Sequence, residues 1–173
     1  MAKPREASKN VNNRGMVLLN TTEFSAASTI SINNVFTSSY DHYKVLITSQ
    51  TASSVGSGLR LRASGSDATS GYAINYTAQN SDNRHGVNGA ATQFEMQYDN
   101  SGSYRFFVIE FLNPYLAENT FFSCTGWYDN VLMLTNGVKQ DSLQYDGFTY
   151  RPNSGNFSAV GQIKVYGYNN EVQ

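Results

Sequence analysis

The stretch at residues 101–113, SGSYRFFVIEFLN, decides the fold class, because it leaves a Ser-Gly turn as a strand with apolar side chains on both faces. Successive side chains of a strand point to opposite sides, so Phe107, Ile109 and Phe111 share one face. Tyr104, Phe106, Val108 and Leu112 share the other. A two-layer β fold needs only one apolar face per strand, and the second must be covered by a further layer, a loop or another copy of the chain. The strand is therefore either central and buried on both faces within one domain, or core on one side and oligomer interface on the other. On the second reading Phe107, Ile109 and Phe111 fill the core. Tyr104, Phe106 and Val108 then meet a neighbouring subunit, with Glu110 close to that seam as an ion-pair partner or edge charge.

Working outward, short apolar runs punctuated by turn residues recur from Gly15 onward at the spacing expected of a sandwich or barrel. The expected strands lie near 16–20, 28–32, 43–50, 58–63, 72–77, 93–98, 103–113, 121–128, 131–134, 138–143 and 159–168. Leu59, Leu61 and Ala63 alternate with Arg60 and Arg62, and Tyr43, Val45 and Ile47 alternate with Lys44 and Thr48, so these strands have one wet face. Asn136-Gly137 fits a type I′ hairpin turn between two apolar runs, because both central positions of that turn need positive φ. Asp146-Gly147 is a further turn signal. Residues 35–42 suggest one 3₁₀ turn, and the Gly-, Ser- and Asn-rich stretch 80–90 reads as a long surface loop. The chain is read as all-β, an antiparallel β-sandwich of jelly-roll-like form, with one domain over 15–173 and an extended N-terminal arm over 1–14.

Composition agrees. Charged residues are 14% of the chain against about 25% in ordinary globular proteins, while Gly, Ser, Asn, Thr and Tyr abound. The 173 residues suffice for one domain with a sizeable core, and two would be cramped. The net charge of −1 conceals an asymmetry. Lys3, Arg5, Lys9 and Arg14 stand against Glu6 in the first fifteen residues, and the remainder is net acidic by four. Four charges without interleaved aromatics make a poor nucleic-acid tail, so the arm reads as a flexible or partner-docked terminal extension. MAKPREASKN lacks the apolar core of a signal peptide, and no run approaches a membrane helix, which predicts synthesis in a cytoplasm without membrane insertion.

The residues offer little to catalysis. His42 and His85 are the whole histidine supply, and neither stands beside a second ligand at useful spacing. No G-x-S-x-G elbow exposes a serine. Glu95, Asp99, Glu110 and Asp129 lie in or near strands, where two carboxylates about 5 to 9.5 Å apart would suit glycoside cleavage. The loop 64–71, SGSDATSG, is not followed by a Gly-Lys-Ser/Thr, and Asp67 reads as a turn former rather than a calcium ligand. Cys124, the sole cysteine, keeps step with Phe122 and reads as core. No catalytic residue, cofactor or metal is expected. Trp127 and Tyr128 are candidate glycan contacts through a sugar-stacking platform.

TISINNVFTSSYDHYKVLI at 29–47, LRLRASGSDATSGYAINY at 59–76 and the closing GQIKVYGYN at 161–169 resemble β-sandwich domains of tailed-bacteriophage virion proteins. Such domains occur at the ends of tail-fibre-like proteins and in small surface proteins of cyanophages. The resemblance covers nearly everything after Gly15, and its most specific element is Ser39-Tyr40-Asp41-His42-Tyr43. It implies a non-enzymatic virion surface component, usually a homotrimer attached by its N-terminal segment. The expected function is a tail-fibre or appendage protein contributing to host attachment. The alternatives are a capsid decoration protein bracing the head and a carbohydrate-binding or carbohydrate-active virion protein that contacts host surface glycan. Family members on fibres often carry a long shaft before this domain, whereas only the short arm precedes it here.

Overall fold

The computed structural model of the protein describes residues 15–52, 55–79, 84–97, 104–128 and 131–169. The basic arm, with Lys3, Arg5, Lys9 and Arg14, lies outside the described residues, as do Asp99 and Asp129. Among the described residues there is no helix, and so none long and apolar enough to cross a membrane.

The strands are β1 (Met16–Phe24), β2 (Ile30–Ile32), β3 (His42–Gln50), β4 (Ser57–Ala63), β5 (Ser66–Asp67), β6 (Tyr72–Gln79) and β7 (Arg84–Ala91). They continue as β8 (Phe94–Gln97), β9 (Tyr104–Leu112), β10 (Thr120–Tyr128), β11 (Val131–Lys139), β12 (Gly147–Pro152) and β13 (Gly161–Tyr168). The larger sheet runs β1-β13-β3-β9-β10-β11-β6-β7, and the smaller runs β2-β12-β4-β5 with β8 also paired to β4. Every pairing is antiparallel. The chain switches sheets repeatedly, and the two sheets enclose one main core, so the fold is an antiparallel β-sandwich of jelly-roll type.

Period-2 alternation does most of the sorting. On β9, Phe107, Ile109 and Phe111 are wholly buried, whereas Tyr104, Phe106 and Leu112 are exposed on the other side. On β3 and β13 the buried residues are again every second one, among them Val45, Ile47, Ile163 and Val165. Aromatic rings join the sheets, Phe111 lying 6.0 Å from Phe148 and Phe94 stacked 4.4 Å from Phe122. Cys124 is buried among them, and burial pushes its thiol up.

Several local expectations are corrected. Asn136-Gly137 is not a hairpin turn but lies inside β11, where Gly137 pairs with Phe122 on one side and Ile74 on the other. A Cβ there would sit 2.9 Å from both the Ala73 carbonyl and the Phe94 ring, so glycine is required by close packing rather than by positive φ. The expected loop at 80–90 contains β7, whose glycines hid it. Gly86 lies under the Tyr76 ring, 2.7 Å from where its Cβ would be. The expected strand at 138–143 ends at Lys139, and the residues beyond form a connection. β12 begins at Gly147, within what the sequence marks only as a turn. Within residues 35–42 a single turn closes where the Tyr40 amide donates to the Thr37 carbonyl at 3.4 Å, and the amides of Val35 and Phe36 donate to the Asp146 carbonyl across the sheet end, at 2.9 and 3.1 Å.

Candidate functional site: the outer face of the larger sheet

β9 sits between β3 and β10, so its outward side chains lie in the middle of a broad face. Register sets their neighbours. Phe106 is opposite Thr48 and Trp127, and Val108 is opposite Leu46 and Thr125. Thr125 and Trp127 are in turn opposite Leu134 and Leu132. The Phe106 and Trp127 rings meet at 6.0 Å with their planes 31° apart. Tyr104 is 69% exposed, Trp127 44% and Phe106 40%, and Phe121 and Leu112 extend the apolar surface toward the other end. Aromatic side chains of this size carry ~150–250 Å² each, so four of them half exposed leave on the order of 400 Å² of apolar surface. That approaches the largest patch on an ordinary monomer and is about half of what one partner contributes to a standard interface.

Glu110 interrupts this face, but its ion pair is made inside the chain. Lys44 Nζ lies 2.9 Å from Glu110 Oε1, and the Tyr168 hydroxyl donates to the same oxygen at 2.8 Å. The hydrogen bond to Glu110 lifts Lys44 above the ordinary lysine range, and burial followed by the Glu110 contact pushes Tyr168 up. The pair leaves the face locally polar and charge-balanced.

Tyr104, Phe106, Val108 and Glu110 are thus on one surface, as the alternation predicts. Trp127 and Tyr128 border one hollow but leave β10 on opposite faces. Adjacent strand residues point to opposite faces, and Tyr128 is 6% exposed on the inner side with Ala78, Val131 and Met133. The Trp127 ring packs against Phe106. A shallow hollow beside them is lined by Thr48, Tyr104, Arg105, Phe106, Trp127 and Tyr128. Sequence reading missed Leu46, Leu132, Leu134 and the Trp127–Phe106 contact, because each depends on which strands are neighbours.

The other chemical candidates disperse. Glu95 and Glu110 belong to strands of opposite sheets, on either side of the core. Glu95 alternates with buried Phe94 and Met96 and takes bonds from Gln93 and Asn153. Asp67 pairs with Arg62 and accepts from Thr149 at 2.7 Å, which makes it a cross-strand tie. His42 lies on β3 at the rim of the large face and His85 on β7. Among the described residues no three His, Cys, Asp or Glu side chains cluster as metal ligands.

No protein-family model matches the chain, and no curated protein matches it in sequence. Among solved structures it is similar to the galectin LEC-6 of Caenorhabditis elegans, at 11% identity and a TM-score of 0.31, over 84% of this chain and 94% of that one.

Proposed function

We propose that the protein is a non-enzymatic structural component of a tailed-phage virion. In this reading it is a homotrimeric tail-fibre or appendage protein on the outer surface of the particle, contributes to host attachment, and docks by the arm at 1–14 on another virion protein. The observation that carries the assembly part is the outer face of the larger sheet, where Tyr104, Phe106 and Trp127 stay exposed beside Val108 and Leu46. Such a face is covered in a working protein, and a second copy covers it without any further component. The virion setting rests on the sequence segments at 29–47, 59–76 and 161–169 and their resemblance to phage surface domains. The basic arm ahead of an acidic body supplies a docking element of opposite charge to the domain it extends.

Two measurements test this. Light scattering on the purified chain at micromolar concentration is expected to give three times the 19.1 kDa chain mass, and a monomer would remove the assembly argument. A map of whole particles is expected to place the chain on the tail or an appendage. Density on capsomer surfaces would replace attachment with head decoration, and release of reducing sugar from host polysaccharide would overturn the non-enzymatic reading.

A further inference from the structure

The eight strands of the larger sheet end at β1 and β7, and among the described residues no strand pairs with the outer edge of either. A free edge presents unpaired backbone amides and carbonyls, which makes it a template for a further strand. Because the strand count is even and every neighbour is antiparallel, β1 and β7 run in opposite directions. A second copy set head to tail therefore offers its β1 to β7 in the antiparallel sense, with the same face of both sheets on the same side.

Register makes the two edges complementary. One row of outward side chains crosses the sheet from Tyr166 through Lys44, Glu110, Ser123 and Asn136 to Asn75, each opposite the next. Leu18 stands at the β1 end of that row and Val87 at the β7 end. Leu18 is 53% exposed and Val87 78%, so an apolar side chain is left in water at each margin of the sheet. Head-to-tail pairing along the row places Val87 of one copy beside Leu18 of the next. The antiparallel sense also brings the end of β1 that carries Glu23 to the end of β7 that carries Arg84, so residues of opposite charge share one end of the junction.

We infer that β7 of one copy pairs with β1 of the next and that three such junctions close the chain into a ring, which rests on the trimeric reading proposed above. A two-fold contact of β7 with β7, or of β1 with β1, uses one edge and leaves the other open. Head-to-tail contact uses both edges in every copy and closes by rotation. Closure turns one face of all three sheets toward the axis. The aromatic band belongs on that face, because Phe106 and Trp127 sit on β9 and β10, the two middle strands of the eight. The middle of each side is the part of a three-sided ring nearest its axis. The edges thus set the symmetry, and the rings of three copies cover one another at the centre.

Crosslinking the full chain as the double variant Leu18→Cys/Val87→Cys tests the ring, since the native Cys124 is buried and does not compete. Directly opposed residues of paired strands have Cβ atoms about 4.5–5.5 Å apart, within reach of a short bismaleimide. The treated double variant is expected to run at three chain masses on a denaturing gel, and each single variant as one chain. Val87→Lys, at an exposed position, is expected to weaken self-association at least about tenfold by light scattering, because an edge lysine opposes strand pairing. A trimeric mass in solution without crosslinking of the double variant would overturn the ring and leave the trimer standing, whereas a monomeric mass for the parent chain would overturn both. Crosslinking of either single variant would reveal a two-fold junction, and a ladder running past three chains an open one. Either result would overturn the ring.

Discussion

The outer faces of the two sheets solve the same problem in opposite ways. On the smaller sheet, Arg62 donates to Asp67, to the Gly65 carbonyl, to Thr149 Oγ1 at 2.8 Å and to Asn33 Oδ1 at 2.8 Å. Thr149 also meets Ser31 at 3.1 Å and is 1% exposed although it points outward. Gln93 bridges Glu95 and Asn153 at 2.9 and 2.7 Å. That face is closed by its own polar side chains. The larger sheet presents rings whose needs are not met by hydrogen bonds, and only apolar cover relieves them. One face is finished within the chain, and the other leaves Tyr104, Phe106 and Trp127 exposed.

Phe106→Glu should break this contrast most sharply, because it sets a charge between Thr48 and Trp127 at the centre of the apolar band. Self-association is expected to weaken by more than about a hundredfold, read as mass by light scattering, since an unpaired charge at an interface core costs roughly 3 kcal/mol or more. The monomer should stay folded with a loss of about 1–2 kcal/mol, because the Phe106 ring is 40% exposed and otherwise packs beside Trp127. An unchanged mass would show that copies do not meet on this face.

Arg62→Ala tests the finished face and should act in reverse. Removing the guanidinium strips donors from Asp67 and Thr149, with an expected loss of about 2–4 kcal/mol in urea unfolding and no change of mass. A loss below ~0.5 kcal/mol would mean that water replaces the network.

The smallest effect separates two carboxylates by titration. Burial raises Glu95 above the ordinary glutamate range, outweighing the bonds from Gln93 and Asn153. Burial also pushes Asp141 up, but the hydrogen bonds from Lys139 and Tyr145 outweigh it and hold Asp141 below its usual range. The raised Glu95 contributes stability below its unfolded value of ~4.3, lost as pH rises through the folded value. The lowered Asp141 contributes stability above ~3.9, lost as pH falls through its folded value. Carboxyl-carbon NMR should show Glu95 titrating above Asp141 by more than the ordinary difference, and the reverse order would refute both assignments.

Much of the fold is legible wherever alternation is undisturbed. Phe107, Ile109 and Phe111 are readable as core from their spacing alone, and the same rule separates Trp127 from Tyr128 once it is applied to adjacent residues. The rule fails where glycine and asparagine serve packing instead of turns. Gly137 makes room for the Phe94 ring and Gly86 for that of Tyr76, so β11 is longer than it reads and β7 reads as a loop. Leu46 beside Val108 gives no local signal, because their strands are roughly sixty residues apart in the chain.

Period 2 is a property of neighbouring residues, so spacing alone establishes that most of the chain is strand and which side chains face inward on the strands that alternate regularly. It also marked β9 as apolar on both sides. Strand order was decided only by the tertiary structure. β9 lies between β10, which follows it directly, and β3, roughly sixty residues earlier in the chain. That pairing surrounds Phe106 with Thr48 and Trp127 and gives Glu110 to Lys44. No local pattern encodes which distant edges join, because that choice is set by how the whole core packs.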